Sequence, residues 1–253
     1  MSKIVSVHSY RGGTGKSNTT ANLAASIARQ GCRVGIVDTD IQSPGIHALF
    51  GFDENNIELT LNDFLWGRCS ITEAAYDVSW VLQDLGIKQG KIYLIPSSVK
   101  AGDIAEILKQ GYDVGMLREG FQNLIDDLNL DYLLIDTHPG LNEETLLSIA
   151  ISDVAVLVLR PDKQDYQGTA ITVDIARKLG VEKLFLVVNK APCILNFDDL
   201  KEQIEKTYNA TVAGILPHSD DMMFLASNGV FAIKFPDHLY TSIVRDITVK
   251  VMA

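Results

Sequence analysis

The sequence predicts a doubly wound α/β fold, a mostly parallel sheet with helices on both faces. Short apolar runs recur along the chain without polar alternation, as expected of strands covered on both faces. Segments of helical length and pattern stand between several of these runs. Acidic or glycine-rich stretches follow the runs at the ends where ligands bind in such folds. With 253 residues, 47% of them apolar, the chain is long enough to bury one core. No Pro/Gly/Ser-rich linker divides it, and no repeat or low-complexity segment shows. A single domain over 1–253 is the expectation.

In order, residues 4–8 read as a buried strand, followed by a loop over 9–16. A helix is expected over 17–30, with Ala21, Leu23, Ala24, Ile27 and Ala28 on its apolar face and Gly31 ending it. Residues 34–37 form the second strand, closing at Asp38-Thr39-Asp40. The stretch 45–89 has no clear period but is too apolar for a linker. Residues 92–96 read as a third strand, 113–127 as a helix, and 132–136 as a strongly apolar fourth strand. Two more strands, 154–159 and 184–188, flank a helix over about 167–179. Residues 213–216 precede Pro217, and 238–252 read as a final helix.

The formal net charge of −10 repels nucleic-acid phosphates and anionic headgroups at long range. Cys32, Cys69 and Cys193 are scattered, so no thiolate cluster for zinc or iron–sulfur is expected. The N-terminal residues turn polar too soon for a signal peptide, and no run approaches the ~18 apolar residues of a membrane span. A cytoplasmic protein is expected.

Tyr10-Arg11-Gly12-Gly13-Thr14-Gly15-Lys16-Ser17 follows a strand and opens a helix, the setting of a phosphate-binding loop. Its glycines let successive N–H groups turn inward, and the helix N-terminus favours an anion. Lys16 is placed for the β- and γ-phosphates and Ser17 for a Mg²⁺ ion, with Asn18 next along the helix. The pattern G-x-x-x-x-G-K-[ST] is not met in full, because position 10 is tyrosine.

The segment from Arg11 to Ser17 resembles the deviant Walker A motif of the MinD/ParA ATPases. The resemblance covers nearly the whole chain, with smaller echoes at 61–67 and 95–98. It implies a P-loop fold, ATP and Mg²⁺ as cofactors, and a homodimer with ATP sandwiched at the interface. The family's signature lysine, which reaches the partner's phosphates, corresponds to Arg11. Arginine keeps the charge and offers a fork of donors.

By the same resemblance, Asp38 and Asp40 stand in switch I. Two apart on an extended segment, they are expected to point the same way, Asp40 orienting the attacking water and Asp38 supporting the Mg²⁺ shell. Asp136-Thr137-His138-Pro139-Gly140 matches Walker B and switch II, with Asp136 binding Mg²⁺ through water and Gly140 answering the γ-phosphate. His138 departs from the family pattern; it either meets the nucleotide or a partner, or serves as a structural loop residue.

Asn189, at a strand end, carries a donor and an acceptor suited to adenine, and Pro217-His218 follows the next strand where the family places base contacts. Either pair can also be read as a plain strand-end turn. The guanine signature Asn-Lys-x-Asp is absent, since Ala191-Pro192 follows Asn189-Lys190.

The resemblance implies a slow, partner-stimulated ATPase that serves as a dimerisation switch for positioning or partition of a cargo. The alternative is an ATP-dependent metabolic enzyme on the same fold, like dethiobiotin synthetase. A reductase of the nitrogenase-iron-protein type lacks its paired cysteines, and a pseudo-ATPase is at odds with Lys16, Ser17, Asp40 and Asp136. Nucleoid DNA is a possible partner that the net charge does not favour. Its candidate basic residues, Arg177, Lys178 and Lys183, are mixed with Asp174 and Glu182 and read as a salt-bridged helix face. The final helix is short of Lys and Arg, so no C-terminal membrane-targeting helix is expected.

Overall fold

The computed structural model of the protein describes residues 2–253. Its strands are β1 (Lys3–His8), β2 (Arg33–Asp38), β3 (Tyr76–Asp77), β4 (Lys91–Ile95), β5 (Tyr132–Asp136), β6 (Val154–Leu159), β7 (Lys183–Ala191) and β8 (Thr211–Pro217). They lie side by side in the order β3-β4-β2-β5-β1-β6-β7-β8. Every pairing is parallel except that of β3 with β4. The helices are α1 (Lys16–Ala28), α2 (Leu61–Leu65), α3 (Ala101–Gln110), α4 (Gly115–Leu128), α5 (Glu143–Ala150), α6 (Lys163–Lys178), α7 (Phe197–Tyr208), α8 (Asp220–Leu225), α9 (Phe231–Lys234) and α10 (Leu239–Met252).

The apolar runs lack polar alternation because each strand feeds a core on both faces. Val34 and Ile36 of β2 and Leu134 of β5 pack with Leu23, Ile27 and the α10 residues Val244 and Ile247. Val37, Leu133 and Ile135, pointing the other way, pack with Phe64 of α2 and Leu117, Phe121 and Leu124 of α4. A third cluster seats Leu200 and Ile204 of α7 against Leu186 and Val188 of β7. The expected doubly wound sheet is therefore present, with β1 at the switch point between β5 and β6.

Several expectations are corrected in detail. The first helix ends at Ala28, and Gly31 takes a left-handed φ of 92° beyond it. The unread stretch 45–89 holds two 3-10 turns, α2 with a Thr60/Asp63 capping box, and the two-residue edge strand β3. Helices α3, α5, α7, α8 and α9 were not anticipated. Arg177 makes no ion pair with Asp174 or Glu182 among the described residues. Its guanidinium donates to the carbonyls of Tyr208 and Asn209, because the C-terminus of α7 leaves carbonyls that need donors. No described helix is long and apolar enough to cross a membrane.

Candidate functional site

The loop after β1 is shaped by its glycines. Gly13 and Gly15 have φ of 77° and 93°, a region that residues with a Cβ avoid. At Gly15 a Cβ would also lie 2.2 Å from Asn189 Nδ2. No side chain caps the first amides of α1, so its N–H groups and positive dipole end stand open to an anion at the loop. Gly12 and Gly13 are exposed and Thr14 is buried, and Ser17 and Asn18 lie in the first turn of α1.

Lys16 is buried, with Nζ 2.8 Å from Asp136 Oδ1 and 3.9 Å from Asp40 Oδ2. The register of β2 on β5 sets Asp38 opposite Asp136. Burial, then the nearby Asp136 carboxylate, push the Asp38 carboxyl up to about 8. Burial likewise raises Asp40, with Lys16 and His138 opposing it. Three acidic side chains thus gather near one ammonium group, and a divalent cation at that place would favour their ionised forms.

Asp136 Oδ2 and Thr14 Oγ1 are buried without a hydrogen-bond partner. No cage of three or more His, Cys, Asp or Glu side chains forms among the described residues. That donor set fits Mg²⁺, which keeps water and phosphate oxygens as most of its ligands.

Asp38 and Asp40 do not share a face by strand alternation. Asp38 Oδ1 accepts the Asp40 N–H at 3.0 Å, and Oδ2 accepts that of Gly45 at 3.3 Å. This Asx turn bends the chain at the end of β2, and the bend carries Asp40 towards Lys16.

The far end of the loop meets β7 and β8. Asn189 Nδ2 donates to Thr14 O at 2.8 Å, and its Oδ1 accepts the Lys190 N–H. Lys190, in the left-handed region at φ 55°, returns its Nζ to Gly13 O at 2.8 Å. A cavity of about 360 Å³ opens here between Gly15, Asn18, Asn189, Pro217, His218 and Tyr240. Its size falls in the range of small-ligand sites, and it adjoins the phosphate loop, as a nucleoside requires. A larger open groove of about 690 Å³ lies beside Lys183 and Thr211, at the opposite ends of β7 and β8. It contains none of these residues.

A family model described as an AAA domain matches residues 2–184. The septum site-determining protein MinD of a Synechocystis species is 25% identical over 234 residues, spanning 90% of this chain and 81% of that protein. The solved MinD of Pyrococcus horikoshii, complexed with Mg-ADP, superposes with a TM-score of 0.79 at 22% identity, covering 99% and 96% of the two chains. Cobyrinic acid a,c-diamide synthase of Mycobacterium smegmatis, with an ATP analogue and magnesium, gives 0.76 at 18% identity over 100% and 94%. The chain belongs to the MinD/ParA family of P-loop ATPases.

The cofactors of such a MinD/ParA ATPase are ATP and Mg²⁺, and the residues just described fit both. Lys16, Asp40, Asp38 and Asp136 converge at one place, and Asn189, Pro217 and His218 line the neighbouring cavity. Arg11 is not part of that cluster. Its Nη2 lies 2.7 Å from Asp162 Oδ2 and its Nε 2.9 Å from Asp165 Oδ1, and Nη1 donates to Gln164. All three partners stand at the start of α6, about 150 residues downstream.

His138 sits between the switches. Its Nδ1 donates to Pro139 O at 2.5 Å, and Nε2 lies 3.8 Å from Asp40 Oδ1. It therefore packs against the switch I carboxylate, a role its sequence position alone did not disclose. Gly140, at φ 90°, donates its N–H to Ser9 O at 3.2 Å and ties switch II to the phosphate loop. Lys190, Gln164, Asp162 and Asp165 were also missed. A lysine directly after Asn189 was the one visible signal among them.

Proposed function

We propose that this chain is a cytoplasmic Mg-ATP-dependent dimerisation switch used to position or partition a cargo, and that a partner protein stimulates its slow hydrolysis. The observation that carries this reading is the division of labour between two cations of one loop. Lys16 turns inward to Asp40 and Asp136, while Arg11 turns away to α6. A second cation at the rim of the phosphate loop, kept apart from the Lys16 cluster, is what a contact with a second subunit's phosphates requires.

In this reading Lys16 bridges the β- and γ-phosphates, and Asn189, Pro217 and His218 hold the base. Ser17 and Asp136 would hold Mg²⁺, with Asp38 in support, and the ion would supply neutralisation of negative charge at the phosphates. Asp40 orients the attacking water, and phosphoryl transfer asks mainly for such positioning. Arg11 acts on the partner subunit's nucleotide. Nucleoid DNA is disfavoured as the cargo surface by the −10 net charge.

Light-scattering mass tests the reading, for wild type, Asp40→Ala and Arg11→Ala in Mg-ATP and in Mg-ADP. The expected result is a doubled mass in ATP alone, clearest for Asp40→Ala and lost in Arg11→Ala. A monomer with ATP demonstrably bound would end the switch reading and favour a metabolic ATPase.

A further inference from the structure

A cavity of about 240 Å³ opens where the two switches meet the corner between α3 and α4. Ile41 and Gln42 of switch I form one wall and His138 of switch II another. Tyr112, Glu143 and Glu144 close the far side. The floor is apolar, with Ile41 and Ile107 both buried. No lysine or arginine lines it.

Two acids in the first turn of α5 complement the helix dipole, and that alone explains their presence on the helix. It does not explain why they border a half-open cavity shared with a phenol. Burial, and next the Glu144 carboxylate, hold the Tyr112 hydroxyl protonated, so the wall offers two carboxylates and a neutral hydroxyl. Its volume lies below the usual 300–1,000 Å³ range of small-molecule sites, which suits a group the size of one long side chain. A cation entering a partly closed space needs charged partners to offset its desolvation, and these carboxylates provide charge-assisted hydrogen bonds.

We propose that this cavity binds a guanidinium or ammonium head on a short alkyl stem, the stem lying on Ile41 and Ile107 and the head on Glu143 and Glu144. The same chemistry is carried by an arginine or lysine side chain of a partner protein and by a free alkyl amine or guanidine. Because Ile41 follows Asp40 directly and His138 Nε2 lies 3.8 Å from Asp40 Oδ1, the occupant touches both segments that carry the hydrolytic carboxylate. Binding and nucleotide state are therefore linked, and the linkage is reciprocal. This last step rests on the role given to Asp40 in the proposed function.

The test is calorimetric titration of the full chain with agmatine and with the blocked tripeptide acetyl-Gly-Arg-Gly-amide, without nucleotide and with Mg-ATP. Saturable binding is expected, weakened about tenfold by Glu144→Gln, the loss of one charge-assisted hydrogen bond. Gln42→Lys, at an exposed position on the rim, is expected to abolish it by charge alone. Tripeptide binding at least as tight as that of agmatine supports a protein side chain as the source, and agmatine binding alone supports a small molecule. No saturable binding of either probe to folded wild type, or affinities unchanged in both variants, would overturn the site. Equal affinity with and without Mg-ATP would overturn its link to the switches. Binding measured without nucleotide does not require dimerisation, so failure of the site and failure of the dimer switch are told apart.

Discussion

The guanidinium of Arg11 is closed on the buried carboxylate of Asp165, with Nε 2.9 Å from Oδ1. Arg160 shares the same two acids, at 3.4 Å from Asp165 and 3.0 Å from Asp162. If Arg11 swings out to a second subunit, Arg160 keeps the aspartates paired, so release does not strand a buried charge. In the proposed dimer switch the contact would serve as a stow for Arg11. Asp162→Asn keeps the cap of α6, since asparagine caps as well as aspartate, but removes one anion from Arg11. An exposed pair is worth up to about 1 kcal/mol and two Arg11 side chains are released per dimer, so ATP-dependent dimers of the variant should form at up to about thirtyfold lower protein concentration. Sedimentation across a dilution series reads this directly. A dimer that is unchanged or weaker would show that Asp162 does not hold Arg11 back.

Gly15 and Gly180 separate two costs that are usually confounded. Both have positive φ, 93° and 80°, but a Cβ at Gly180 meets nothing within 4 Å. Gly180→Ala should cost only the backbone strain, about 1–2 kcal/mol, with nucleotide affinity unchanged. Gly15→Ala carries the same strain and drives the Asn189 amide out of place, so nucleotide binding should be lost as well. Urea unfolding and titration with a fluorescent ATP analogue measure the two effects separately.

The sheet was legible because strands buried on both faces leave uninterrupted apolar runs, as in 132–136 and 154–159. The phosphate loop was legible because its glycines, Lys16 and Ser17 are contiguous. In α7 the buried residues Leu200, Ile204 and Tyr208 recur every four positions behind an Asn196 cap, a signal that was present but unread. In α3 Ala101, Ile104, Ala105 and Leu108 also recur at helical spacing, although only Ile107 is buried, so there too the signal was present but unread. The two-residue β3 is too short for any period. The Arg11 partners became visible only through the fold, which sets the start of α6 beside the loop after β1, and the Asp38 turn only through two backbone N–H groups that donate to its carboxylate.

Asn189 spends its amide inside the protein, donating to Thr14 O and accepting from Lys190 N. Asn189→Asp keeps the acceptor and replaces the donor by a carboxylate facing a carbonyl. A buried polar group left without its partner costs about 1–3 kcal/mol, so the loop should loosen and nucleotide affinity should fall roughly tenfold. If affinity stays at the wild-type level while stability drops, Asn189 braces the fold and not the nucleotide site.

His8 gives the protein a predictable response to acid. The ring is fully buried at the end of β1, with Nδ1 2.7 Å from Thr137 Oγ1. The Thr137 hydroxyl donates to Val7 O, so it accepts from His8 Nδ1–H and leaves Nε2 bare and unpartnered. Burial, followed by Lys16 and His138, lowers the imidazole to about 3. Unfolding exposes it to its ordinary value near 6.5. Between those values the unfolded chain binds the extra proton, so stability rises with pH there and is lost as pH falls from about 6.5 towards 3. The slope from this one group is about 1.4 kcal/mol per pH unit. Urea unfolding at pH 7 and at pH 5 should show wild type losing about 2 kcal/mol more than His8→Asn, whose amide does not titrate. Parallel losses in the two proteins would mean that His8 takes up its proton in the folded state, and that the polar end of β1 is open to water.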